Sequence, residues 1–148
     1  MGQFQRDTMR AARAALAGLA LLLAPLWARA EVVNLQKPGG FSLRAPAAPL
    51  SLAGVAHMEK RTGAGWITIA RNILLVEQCS AAPPPACVTI APGAAMTLAH
   101  WPGYSCASQC NLSCKANVYL GPGEFRLKVF ACGGGQPLTG PVFRLPAR

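Results

Sequence analysis

Phe125-Arg126-Leu127-Lys128-Val129-Phe130 decides how this chain is read. Phe125, Leu127 and Val129 alternate with Arg126 and Lys128. A period of two sets one face of a β-strand against a core and the other in water. The turn pair Pro122-Gly123 leads into the run, and Gly133-Gly134-Gly135 ends it just past Cys132.

Working back from this strand, Val118-Tyr119-Leu120 reads as a strand, preceded by a loop carrying Cys106, Cys110 and Cys114. Ala95 and Thr97 alternate with Met96 and Leu98 after the turn Pro92-Gly93, and Val88-Thr89-Ile90 precedes that turn. Residues 80–86 hold three consecutive prolines, which excludes a helix or a central strand. Ile73 to Val76 forms one apolar run and Trp66-Ile67-Thr68-Ile69 another; the latter pairs across the Gly-containing turn 61–65 with residues 50–60, a predicted hairpin partner that bends at Gly54. Phe41-Ser42-Leu43 and residues 31–35 supply N-terminal strands, the Ala/Pro segment 44–49 is a loop, and Val142-Phe143-Arg144-Leu145 supplies a last strand. Seven or eight short strands with frequent turns predict an all-β domain, an immunoglobulin-like antiparallel β-sandwich; a small closed barrel is the alternative.

The N-terminal thirty residues read as a secretory signal peptide. Arg6, Arg10 and Arg13 precede an apolar stretch, residues 14–26, too short for a comfortable membrane span, and Ala28-Arg29-Ala30 fits a small-x-small cleavage pattern. The expected mature chain is a single domain, residues 31–148, secreted or periplasmic and without a transmembrane segment. The full chain carries 14 Lys and Arg against 5 Asp and Glu, a formal charge of +9. Loss of four cations and Asp7 with the leader leaves about +6.

All six cysteines, Cys79, Cys87, Cys106, Cys110, Cys114 and Cys132, lie beyond the leader. An even count in a small exported chain predicts three disulfides. The proline loop between Cys79 and Cys87 suggests that these two pair, leaving Cys132 to join the strong strand to one cysteine of the 106–114 loop.

Ile90-Ala91-Pro92-Gly93, Trp101-Pro102-Gly103 and the segment from Gly121-Pro122-Gly123 through Val129 resemble bacterial immunoglobulin-like domains built on a Pro-Gly turn, a Trp-x-Gly and a Pro-Gly-x-aromatic-Arg strand. The bacterial intracellular proteinase-inhibitor family shares that cadence. The resemblance covers about a third of the mature chain and implies the sandwich. The export signal and the cysteines depart from the inhibitor pattern, so inhibition stands as an alternative function. Small exported proteins of unassigned role with a Trp-x-Gly-x-x-Cys-x-x-Gln-Cys loop are a second similarity, carried here by Trp101, Cys106 and Cys110.

Chemistry-bearing motifs are sparse. His57, Met58, Met96 and His100 offer imidazole and thioether suited to copper or zinc, without a recognised ligand spacing. His57 and Glu59 share a strand face and read as an exposed, adventitious pair. No nucleophile-base-carboxylate arrangement and no phosphate loop can be placed, so neither catalysis nor a cofactor is expected. Lys60-Arg61 is the one adjacent basic pair after the leader, so the charge reads as a solvated surface with loose attraction to anionic envelope components and no specific nucleic-acid site. Trp66 is expected in the core and Trp101 packed beside the cysteine loop. The expected function is a non-catalytic interaction module whose partner is another envelope or extracellular protein, met by the cross-linked loop 103–115. A secreted proteinase inhibitor and a periplasmic copper or zinc protein are the alternatives.

Overall fold

A computed structural model describes residues 29–76, 83–106 and 116–148. These residues contain ten strands and no helix: β1 (Glu31–Asn34), β2 (Phe41–Arg44), β3 (Leu50–Ala53), β4 (Val55–Thr62), β5 (Gly65–Leu74), β6 (Cys87–Ile90), β7 (Ala95–Thr97), β8 (Gly123–Val129), β9 (Leu138–Thr139) and β10 (Phe143–Leu145). No helix among them is long and apolar enough to cross a membrane. Residues 1–28, which hold all but the last two positions of the predicted leader, and residues 77–82 and 107–115 lie outside the described residues, and with them Cys79, Cys110 and Cys114.

All pairing is antiparallel. The largest sheet runs β10-β8-β4-β5 with β9 added beside β8; a second runs β1-β2-β7; β3 and β6 make a third. The strand with the clean alternation is central: Phe125, Leu127 and Val129 are fully buried, while Arg126 and Lys128 are half-buried on the opposite face. Its inward residues share one core with Phe41 and Leu43 of β2, Leu52 of β3, Met58 of β4 and Phe143 of β10. Trp101 lies at the aromatic centre of that core, edge-on to Phe125 at 5.3 Å and to Phe143 at 6.2 Å between ring centroids.

The bend expected at Gly54 is where the chain leaves one sheet for another. A Cβ there would fall on the carbonyl oxygen of Pro85, and the Gly54 amide donates to Ala86 while its carbonyl accepts from Leu75. Only glycine lets the proline-rich segment pass so close.

Two expectations on strands are corrected, and one further strand is found. Val118-Tyr119-Leu120 is an isolated bridge, Tyr119 to Tyr104, not a strand. The separate runs at Trp66 and Ile73 are one ten-residue strand, β5, because register shifts beside Met58 in the partner absorb the break in alternation. Finally β9, two residues long, had no periodicity to reveal it.

The disulfide expectation is also corrected. Cys87 pairs with Cys132, not with Cys79. Sequence nearness gave way to strand register. Cys87 opens β6 opposite Ala53, and the amide of Cys132 donates to the Ser51 carbonyl, so both cysteines flank β3 with their Cα atoms 5.6 Å apart. Cys132 therefore does not anchor the 106–114 loop; Cys106 is itself disulfide-bonded.

Candidate functional site

The outer face of the large sheet gathers charges that the sequence scatters. Antiparallel register aligns side chains from different strands in cross-strand rows. Arg144 of β10 faces Glu124 of β8. Glu124 is also reached by Arg61 of β4, which in turn sits opposite Trp66 of β5. In the next row Arg126 faces Glu59, which faces Thr68. In the third Lys128 faces His57.

The two carboxylates are the knots of this mesh. Glu124 accepts from Arg144 at 2.6 Å and from Arg61 at 3.2 Å. Glu59 accepts from Arg126 at 2.7 Å and from Lys128 at 3.2 Å. Glu59 is the one buried charged residue among the described ones, which corrects its reading as an exposed partner of His57. Arg126 also lies over the Trp66 indole, 4.3 Å from its centroid, a cation–π contact. Trp66 is thus a half-buried residue of the outer face and not a core residue.

Electrostatics follow the geometry. Burial pushes the Glu59 carboxyl up, but the hydrogen bonds and charges of Arg126 and Lys128 outweigh it and hold the group below its ordinary value. Glu124 is held down chiefly by its hydrogen bond from Arg144. The His57 imidazole is lowered by burial first, then by the charges of Arg71 and Lys128, against an opposing pull from Glu59. Arg71, exposed on β5, has no ion-pair partner among the described residues.

Both glutamates and His57 are depressed, so each stabilises the fold above its unfolded value and ceases to do so as pH falls through its folded one. Acid sensitivity should begin below about pH 6.5 with His57 and steepen below about pH 4.5 with the carboxylates. Glu59→Gln should cost about 2 kcal/mol near neutral pH, less than a fully buried pair because both cations reach water. Urea unfolding across pH checks this: the gap between wild type and variant should close as the wild-type carboxylate protonates.

The remaining candidates do not converge. Met58 is fully buried in the core, and Met96 packs partly buried against it. The His57 ring lies edge-on to Phe130 at 4.6 Å. His100 Nε2 is 3.0 Å from the carbonyl oxygen of Pro38. No group of three His, Cys, Asp or Glu that could hold a metal occurs among the described residues.

The cysteine loop is described only at its stem. Residues 103–106 and 116–120 are bound by Ser105 N to Val118 O, Leu120 N to Gly103 O and Ser105 Oγ to Ala116 O. Trp101 Nε1 donates to the Tyr104 carbonyl at 3.0 Å, which ties the stem to the core. Gly103 takes a φ of +89° there, and a Cβ would press on Leu145 and Tyr119.

Sequence reasoning missed the charge mesh. Alternation showed that Arg126 and Lys128 point outward, but only register reveals which strand supplies the carboxylate between them. No protein-family model matches the chain, and no curated protein or solved structure matches it either.

Proposed function

We propose that the chain is an exported, non-catalytic interaction module of the cell envelope or extracellular space, built as an immunoglobulin-like β-sandwich. Three antiparallel sheets around a single core, with one disulfide described in full, support the sandwich. The observation that carries the function is the outer sheet face. Arg61, Arg126, Lys128 and Arg144 come from three sequence regions onto one solvent-facing surface, Arg71 of β5 is exposed beside the register shift next to His57, and the two carboxylates are already committed to cations. A carboxylate held between two cations is a poor general base, because its pKa is driven away from the working range. A preformed charged surface instead suits recognition, since little side-chain order remains to be lost on binding.

The test is comparative capture. Immobilised mature protein and an Arg71→Gln/Arg144→Gln variant are exposed to envelope and culture-supernatant fractions from cells that express the chain. A component held by the wild type, lost with this variant and retained by a Lys37→Gln/Arg44→Gln control is expected. Lys37 and Arg44 are exposed on the β1-β2 side, so the control removes equal charge. Identical capture profiles for all three proteins would refute recognition through this face.

A further inference from the structure

We infer that the outer face of the large sheet binds an acidic polysaccharide whose anionic groups are separated by neutral sugar units. This rests on the interaction-module reading and names the partner class.

Charge comes first. Arg61, Arg71, Arg126, Lys128 and Arg144 stand against Glu59 and Glu124, so the face carries a clear positive excess with His57 neutral. That excess draws in anions.

Spacing narrows the class. Arg144 and Arg61 lie on strands that flank β8, and Lys128 and Arg71 on strands that flank β4. Two inter-strand steps put such cations roughly 9–10 Å apart. Glu124 lies between the first pair. A polymer with a charge on every unit would press anions onto these carboxylates. A chain with a neutral unit between its charges sets each anion on a cation and bridges each carboxylate with hydroxyls, which can donate to it.

Nucleic acid fits less well. Duplex DNA presents one charge per about 1.7 Å of axis. Single strands favour open aromatic faces, whereas the Trp66 indole is covered by Arg126.

The position around His57 is the most specific part. Arg71 and Lys128 both act on its imidazole, and the ring is held edge-on by Phe130. The charges acting on His57 are those of Lys128, its partner across β4 and β8, of Arg71 on β5 and of Glu59. Successive anions of the polymer, one on Arg71 and one on Lys128, would offset their charges, so His57 should protonate more readily when the polymer is bound.

The experiment uses hyaluronate, which carries a carboxylate on alternate sugars, with dextran, a single-stranded thymidine oligonucleotide and phosphatidylglycerol vesicles as comparison probes. Calorimetry at physiological salt should show binding to hyaluronate, none to dextran, and weaker binding per charge to the oligonucleotide and vesicles. Arg71→Gln/Arg144→Gln should weaken hyaluronate binding by about tenfold, and Lys37→Gln/Arg44→Gln by no more than about twofold. His57, followed by NMR of its ring protons, should titrate at higher pH with hyaluronate bound.

Equal losses in both double variants would show that net charge alone acts, and would overturn the inference. So would preference for the oligonucleotide or vesicles, absence of hyaluronate binding, or an unmoved His57 titration. If hyaluronate fails while comparative capture still depends on Arg71 and Arg144, only the partner class falls; if both fail, the interaction reading falls with it.

Discussion

Trp101→Ala is expected to destabilise the fold by about 3–5 kcal/mol, the cost of removing a large aromatic from a packed core. The indole is fully buried and meets Phe125 and Phe143, which themselves approach each other to 5.9 Å. Its removal opens a cavity beneath β8 and β10 that neighbouring rings cannot fill without leaving their rotamers. It also orphans the Tyr104 carbonyl, bound by Trp101 Nε1. The two contributions separate with Trp101→Phe, which keeps most of the ring volume and should cost less, mainly through the unpaired carbonyl. Urea unfolding of both variants measures the costs. Hydrogen exchange at Ser105 and Leu120, whose amides bind across the stem to Val118 and Gly103, should quicken in each. A loss below about 1 kcal/mol for the alanine variant would show that the core closes over the gap, against the packing argument.

Loss of the Cys87–Cys132 bridge is the second large effect. It closes a loop with a sequence separation of 45, for which chain entropy predicts about 4 kcal/mol. That is a large share of the roughly 5–15 kcal/mol total of an ordinary domain. The bridge links the start of β6 to the chain just beyond β8, with β3 between them. Cys87→Ala/Cys132→Ala isolates this bond, whereas a reductant would also attack the bond at Cys106. The denaturant midpoint should drop sharply, and the slope should rise somewhat because the unfolded chain is no longer held compact by the bridge. Peptide mapping under non-reducing conditions checks the pairing, and a peptide joining Cys79 to Cys87 would contradict it.

The sequence displayed most of the strands because their signals are local. Phe125, Leu127 and Val129 alternate cleanly, Gly54 marks a corner, and Pro92-Gly93 marks a turn; each has its cause within a few residues. What stayed hidden depends on distant partners. Cys79 looks like the mate of Cys87 along the chain, but β3 brings Cys132 to it instead. Glu59 and Trp66 misled for the same reason: a carboxylate on an outward strand position looks solvated until Arg126 and Lys128 arrive from β8, and an indole looks buried until the same arginine covers its face. Leu138 and Thr139 pair with β8 over too few residues for any pattern to form.

The Arg–Glu mesh carries one more consequence, for behaviour on warming. Stripping water from ionised groups becomes less costly as temperature rises, whereas apolar burial gains little further strength. The contacts centred on Glu59 and Glu124 should therefore hold up under heat better than the aromatic cluster behind them.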